Sequence, residues 1–242
     1  MSEGEKVVRG AVNPLVVVRD FVRSTVGAKA VMALTGLGLW GFVIAHLVGN
    51  LQIFQGADAI NAYGVFLREI GHGALLWVLR IGMLVMFPLH IFTGMRLAAL
   101  QRRARPIGYA KKKNQATNLA AASMALSGIV VLAFLVFHLG HFTWGWVDAE
   151  AFAAVDAKGR PDVSHMVKTG FSNPLWVAVY VIGQVVLFSH LFHGTASWFQ
   201  SLGLHHGAWS PALRVAGRGL AVLILAGNLL IPLSILFAGA NP

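Results

Sequence analysis

Four histidines inside apolar segments of membrane length are the residues whose type and spacing point to chemistry. They are His46, His90, His138 and His190, and each lies in a different segment. An ionisable ring within a lipid-spanning helix costs free energy, so it marks a functional site by default. One histidine on each of four helices predicts two metal sites, each held by a pair of imidazoles. Such paired sites are typical of electron transfer through haem.

The depths of these histidines follow from helix geometry, in which each residue advances about 1.5 Å. His46 and His138 lie on segments that run outward from the cytoplasm, and His46 comes about 24 Å deep in a core about 30 Å thick. His90 and His190 lie on segments that run inward, which places both near the inner face. The sequence therefore predicts an outer pair (His46 with His138) and an inner pair (His90 with His190), roughly 15 Å apart.

The composition predicts an all-α integral membrane protein. The chain has 242 residues, of which 57% are hydrophobic and only 12% are charged, whereas soluble domains have about 25% charged residues. The apolar residues form five runs long enough to cross a bilayer. The five predicted transmembrane helices cover residues 30–54, 74–100, 118–143, 174–201 and 213–238. They form one bundle at 30–242, after a basic tail at 1–29 with a predicted interfacial helix between Leu15 and Val22.

The distribution of basic residues predicts the orientation. Most of the 19 lysines and arginines lie in the tail, in the linker at 101–117 and at the turn before the last span. The positive-inside rule makes that side cytoplasmic, so the N-terminus is predicted inside and the C-terminus outside. Because the net charge of +10 lies in the loops of a membrane protein, we expect no nucleic-acid partner. The chain has no cysteine, which excludes disulfides and thiolate-bound iron–sulfur clusters on it.

Two neighbouring histidines leave the ligand set open. His141 and His193 each lie three residues from a proposed ligand, and the residues alone do not decide between the members of each pair. A single membrane histidine also forms ordinary hydrogen bonds between helices. An arrangement with two ligands on each of two helices fits less well, because His138 and His141 differ in height by only about 4.5 Å.

Further candidates surround these histidines. Three glycines share a helix face with a proposed ligand and would let a flat macrocycle approach the backbone: Gly49, Gly94 and Gly194. Arg80, inside the second span, is a candidate counter-ion for a haem propionate, and snorkelling to the surface explains it equally well. Glu69 and His72, just before that span, are candidates for proton transfer at a quinone site.

Four motifs, in this order and on helices of matching direction, carry a resemblance to a known family. They are Ala45-His46-Leu47-Val48-Gly49-Asn50, Pro88-Leu89-His90-Ile91-Phe92-Thr93-Gly94, Phe137-His138-Leu139, and Ser189-His190-Leu191-Phe192-His193-Gly194. The chain resembles, from about Arg23 to Pro242, the five-helix di-haem cytochrome b anchor subunit of succinate:quinone oxidoreductases and fumarate reductases.

The resemblance implies two b haems, an inner one held by helices two and four and an outer one held by helices one and three. It favours His190 over His193, because the family's ligand stands four residues before a glycine. It implies two partners on the cytoplasmic face, a flavoprotein subunit that carries the dicarboxylate chemistry and an iron–sulfur subunit. It also implies a membrane quinone as substrate and a place in a bacterial cytoplasmic membrane. The alternatives are a di-haem cytochrome b of another dehydrogenase or hydrogenase, and a haem-free anchor or transporter.

Overall fold

The structure is a computed structural model that describes residues 13–104, 124–204 and 206–238. These residues are almost entirely helical, and five of their helices are long and apolar enough to cross a membrane. Within the same ranges there is no β-strand, and Val155 and Pro161 form one isolated bridge. The all-α, multi-pass architecture predicted from composition is therefore confirmed.

The helices alternate between long spans and short connecting segments. In chain order they are α1 (Pro14–Arg23), α2 (Thr25–Asn50), α3 (Ala57–Glu69), α4 (Ala74–Arg103), α5 (Met124–Phe142), α6 (Ala149–Ala153), α7 (Val163–Ser172), α8 (Pro174–Ser201) and α9 (Ser210–Ala238), with a 3₁₀ turn at Leu51–Gln55. The five spans are α2, α4, α5, α8 and α9, close to the predicted ranges. The predicted start of the third span, at 118–123, lies outside the described residues.

The first span begins earlier than predicted, at Thr25 instead of residue 30. The side chain of Ser24 caps the helix by accepting a hydrogen bond of 2.9 Å from the amide of Gly27. A serine cap satisfies one of the amide groups that a helix start leaves unpaired. The apolar run alone does not reveal this extra turn, because Lys29 interrupts it.

Three short helices close one end of the bundle, where the sequence was interpreted as connecting loops at 55–73 and 144–173. Each of α6 and α7 begins at an aspartate cap: Asp148 accepts from the amide of Ala151 at 2.9 Å, and Asp162 from the amide of His165 at 3.0 Å. We call this end, which contains α3, α6 and α7, the cap end. It corresponds to the side predicted to be outside.

A buried amide joins the parts of the cap end. Asn61 of α3 is only 1% exposed. Its side chain donates to Asp162 at 3.1 Å and to Asp156 at 3.3 Å, and accepts from the amide of Ser164 at 3.0 Å. Since these three hydrogen bonds of its side chain all go to the segment 156–164, Asn61 fixes α3 against α7.

The five spans alternate in direction. At the cap end the end of α2, the start of α8 and the end of α9 share one apolar cluster, which includes Ile53, Val177 and Ile235. At the opposite end the guanidinium of Arg96, late in α4, donates to the backbone carbonyls of Val22 and Arg23. These contacts attach α1 to the far end of α4, so we call this second end the α1 end.

Helix α8 packs closely against both of its neighbours. Gly183 lies against Phe134 of α5, and a Cβ atom at this glycine would come within 2.3 Å of the Phe134 ring. One residue on, Gln184 accepts a 3.1 Å hydrogen bond from the side-chain amide of Asn228 on α9. The two amides of this pair thus form a hydrogen bond between helices, as is common for amides in lipid.

Gly183→Ala is expected to lower the free energy of unfolding by about 1–3 kcal/mol, the usual range for an overpacked core. The added methyl group forces the Phe134 ring away from α8. Thermal unfolding in detergent measures the effect. The matched control is Gly219→Ala on α9, where a Cβ would meet no heavy atom within 4 Å. Equal stability of the two variants would contradict this packing.

Asp156→Asn is expected to destabilise the cap end at neutral pH and to matter less in acid. Hydrogen bonds from Arg160 hold the pKa of Asp156 well below its usual range. A carboxylate with a lowered folded-state pKa stabilises the fold above its unfolded value of about 3.9, and this contribution is lost as the pH falls toward the folded value.

Melting temperatures of the wild type and of Asp156→Asn at pH 7 and pH 3 test this linkage. The gap between the two proteins should be larger at pH 7. A gap of the same size at both pH values would show that the charge of Asp156 does not stabilise the cap end.

Candidate metal centres

The four membrane histidines face each other in two pairs. His46 of α2 and His138 of α5 have ring centroids 5.7 Å apart and an interplanar angle of 86°. His90 of α4 and His190 of α8 have ring centroids 6.4 Å apart at 71°. These are the two pairs predicted from depth, and each pair joins helices that are not consecutive spans.

The pairs lie at two levels of the bundle. His138 contacts Phe142 and Tyr180, and Tyr180 belongs to the apolar cluster at the cap end. His90 contacts Thr35, which stands 11 residues before His46 on α2. Eleven residues of helix span about 16 Å, so the inner pair lies about that far below the outer one. This separation is close to the predicted value.

Three of the four rings have a hydroxyl group at Nδ1. Thr35 Oγ1 lies 3.1 Å from His90 Nδ1, and Ser127 Oγ lies 3.1 Å from His190 Nδ1. The hydroxyl of Tyr180 lies 3.2 Å from His138 Nδ1. A histidine that binds metal through Nε2 commonly uses Nδ1 for such a second contact, which orients the ring.

These three hydroxyls were not predicted from the sequence, although two of them belong to a pattern that repeats in it. Thr35-Gly36 precedes His46 by the same distance at which Ser127-Gly128 precedes His138. Eleven residues make about three helical turns, so the hydroxyl and the histidine share a helix face. Tyr180 leaves no such signal, because it contacts a histidine on a different helix.

Glycine gives the inner rings access to the neighbouring backbone. A Cβ at Gly36 would lie 3.3 Å from Cε1 of His90, and a Cβ at Gly128 would lie 3.5 Å from Cε1 of His190. The ring edge of each inner histidine therefore approaches the glycine that follows the hydroxyl residue. This repeated Thr-Gly and Ser-Gly arrangement relates the α2–α4 half of the site to the α5–α8 half.

The rings retain accessible surface although they face other helices. His46 is exposed, and the other three proposed ligands are partly exposed. The space where a Cβ would be placed at Gly194, four residues after His190, is open, with no heavy atom within 4 Å. Each of the four histidines therefore keeps some surface that the polypeptide does not cover.

The two alternative histidines take no part in either pair. His141 is only 3% exposed and stacks on Phe142 with ring centroids 4.0 Å apart. His193 contacts the ring of Phe192. The structure thus pairs His138 and His190, and not these neighbours, with the histidines of α2 and α4.

The three candidate haem-packing glycines differ in their surroundings. A Cβ at Gly49 would come within 2.6 Å of Tyr63, so that glycine admits a side chain of α3. A Cβ at Gly94 would come within 3.1 Å of Met32. Of the three, only Gly194 opens onto free space, so two of the predicted cofactor contacts are occupied by protein side chains.

The remaining three candidates, in α4 and around the end of α3, are exposed. Arg80 is exposed, with its Cζ atom 5.4 Å from the centroid of the Trp77 ring on the same helix. Glu69 and His72 are exposed at the cap end, where α3 turns into α4. His72 has φ of 56°, between two glycines that are also left-handed, so this tight turn strains a non-glycine backbone.

Tyr180→Phe is expected to cost about 1–2 kcal/mol of stability, because it leaves His138 Nδ1 without its hydroxyl partner. Thermal unfolding measures the loss. Tyr63→Phe serves as the control, since the hydroxyl of Tyr63 forms no hydrogen bond within the described ranges and its ring position against Gly49 is kept. If both variants unfolded like the wild type, the contact between Tyr180 and His138 would contribute nothing.

Comparisons with known proteins add no assignment. The chain matches no family model, no curated protein and no solved structure. What the two centres do is therefore inferred from their geometry and from the motifs that carry the resemblance.

Proposed function

We propose that this chain is a membrane cytochrome b that binds two haems and transfers electrons between a partner and a membrane quinone. One observation carries the proposal: imidazoles from alternate helices meet in two pairs, about 16 Å apart along the spans. An ionisable side chain in lipid is retained when it serves a function. Two such pairs at two levels form a path through the hydrocarbon core.

The number of protein ligands favours haem over a bare metal ion. Within the described residues no group of three or more histidine, aspartate or glutamate side chains is placed to hold a metal. Zinc and similar ions are usually bound by three or four protein ligands. Haem iron takes its in-plane ligands from the porphyrin and needs only axial ligands from the protein. Two facing imidazoles therefore suit haem.

The spacing of the rings also suits an iron between them. Metal–imidazole bonds are about 2 Å long, so two rings on opposite sides of one metal have centroids about 6 Å apart. The observed separations are 5.7 Å for the outer pair and 6.4 Å for the inner pair. A haem held by two histidines would have no open position for oxygen, so the group would supply one-electron transfer.

A second fit concerns hydrogen-bond donors. Nε1 of Trp40 is buried and has no partner among the described residues. Trp40 lies on α2 between Thr35 and His46, at a height between the two levels. A buried N–H without an acceptor is costly. A haem carboxylate would satisfy this donor if it reached the face of α2 on which Trp40 and Leu47 pack against α8 and α9, which is not the face of Thr35 and His46.

The resemblance refines the proposal to the anchor subunit of a succinate:quinone oxidoreductase or fumarate reductase. In this role His90 and His190 would hold the inner haem, on the side where an iron–sulfur subunit would supply electrons. His46 and His138 would hold the outer haem, on the side where electrons would pass to or from the quinone. The flavoprotein partner carries the dicarboxylate chemistry, and this chain contributes anchoring and electron transfer.

Replacing one histidine of a pair should remove one haem and leave the other. His46→Ala or His138→Ala should halve the haem content by removing the outer haem, and His90→Ala or His190→Ala should remove the inner one. Haem quantitation and reduced-minus-oxidised spectra of the purified protein measure this, with His141→Ala and His193→Ala as controls that keep both haems. Loss of the same haem in His46→Ala and His90→Ala would overturn the pairing.

The identity of the electron donor is tested separately. In native membranes, succinate should reduce both haems of the assembled complex, and fumarate should reoxidise them. Haems that respond to hydrogen or to another dehydrogenase substrate, and not to succinate, would assign the chain to a different complex. A pigment-free wild-type protein would favour a haem-free anchor or transporter.

A further inference from the structure

We propose that Thr35 and Ser127 are positioning residues that hold His90 and His190 in the Nδ1–H tautomer, so that both rings present a bare Nε2 to the metal. This inference rests on the proposed function, because it assigns two further residues to the inner haem site. The atom that receives the proton of each hydroxyl group decides whether its oxygen donates to the histidine or accepts from it.

The hydroxyl of Thr35 has one proton and a closer partner than the histidine. Its Oγ1 lies 2.7 Å from the carbonyl oxygen of Val31 and 3.2 Å from that of Met32. Two oxygens at 2.7 Å require a proton between them, so the hydroxyl donates to Val31. Only lone pairs then remain on Oγ1 toward His90, and the 3.1 Å contact must be a hydrogen bond donated by His90 Nδ1–H.

Ser127 repeats this arrangement on α5. Its Oγ lies 3.0 Å from the carbonyl oxygen of Met124 and 3.1 Å from His190 Nδ1. When the serine hydroxyl donates to the Met124 carbonyl, its oxygen is left to accept from Nδ1–H of His190. Donation to a carbonyl one turn back is common for serine and threonine within helices.

A neutral imidazole carries one proton, so a proton on Nδ1 leaves Nε2 as an acceptor. With both rings in this state, neither His90 nor His190 can donate a hydrogen bond from Nε2 to the other. The inner pair is therefore unsuited to a structural histidine–histidine hydrogen bond. Two bare nitrogens on rings whose centroids are 6.4 Å apart are suited to a group that accepts electron pairs, which is what a metal does.

Among the described residues, neither ring of the outer pair contacts a hydroxyl that also donates to a carbonyl of its own helix. The Tyr180 hydroxyl has only the His138 contact and can donate or accept in it. His46 forms no recorded hydrogen bond and stacks on Phe42 with ring centroids 5.5 Å apart. Removing the hydroxyl of Thr35 or of Ser127 should therefore affect the inner haem alone.

The test compares Thr35→Val and Thr35→Ser in the purified full-length protein, with the midpoint potential of each haem followed by optical titration. In Thr35→Val the inner potential should rise, since an imidazole without its acceptor donates less electron density to ferric iron, and inner haem should be held roughly 10–100-fold more weakly. Thr35→Ser should restore both properties, and the outer potential should not move. Ser127→Ala should behave like Thr35→Val.

Thr93→Val is the matched control. Thr93 is also buried on α4, but its hydroxyl donates to the carbonyl of Leu89 at 2.6 Å. Thr93→Val should therefore leave the midpoint potentials of both haems unchanged. An inner potential that is the same in Thr35→Val and Thr93→Val, or an equal shift of both haems in Thr35→Val, would overturn the proposal.

A haem-free wild type would contradict the proposed function and is distinguishable from failure of the tautomer assignment. Nitrogen-15 spectra of the histidine-labelled chain separate protonated from bare ring nitrogens, with or without haem. We expect two Nδ1–H signals, one from each inner histidine. A change in the His90 signal alone in Thr35→Ser, and in the His190 signal alone in Ser127→Thr, supports the assignment. A bare Nδ1 at His90 or His190 overturns it.

Discussion

The hydrogen bonds between the hydroxyls of α2 and α5 and the Nδ1 atoms of α4 and α8 are the constraint on which the inner centre depends. An imidazole on a helix rotates about two bonds, and its position alone does not decide which nitrogen faces a partner. Thr35 and Ser127 remove this freedom because each accepts from one ring while its own proton is used within its helix. The chemistry of the centre follows from which nitrogen is left bare.

The same two hydroxyls relate the halves of the bundle. In each half a hydroxyl residue and a glycine precede the outer histidine by three turns and contact the inner histidine of the next span. Each proposed centre then takes one histidine from each half, so both depend on how the halves pack. Gly183 against Phe134 and Gln184 with Asn228 fix α8 against α5 and α9, so these contacts set the position of His190 within its own half.

The sequence was sufficient for the spans and for the pairing of the histidines, since both depend on regular helix geometry. Length, hydropathy and a fixed rise per residue place five helices and two levels without any knowledge of side-chain packing. The connecting segments were not predictable in this way. Helices α3, α6 and α7 are short, and the hydrogen bonds of the buried Asn61 that fix α3 against α7 join residues about 100 positions apart in the chain. The neighbours of Gly49 and Gly94 could not be predicted for the same reason, because Tyr63 and Met32 reach them from elsewhere in the fold.

The contrast between the two levels follows from what surrounds each pair. The inner rings contact small hydroxyls and glycine on two helices, a setting that orients them before any cofactor binds. At the cap end His138 lies among Phe134, Phe142 and Tyr180, and His46 has an exposed ring without a hydrogen-bond partner in the described ranges. Of the proposed ligands only His46 lacks a second group within the described ranges, so we expect haem binding to order this side of the outer pair, whereas the inner pair is preorganised for it. In the proposed electron path, the rigid site then lies beside the protein donor and the adaptable site lies beside the quinone.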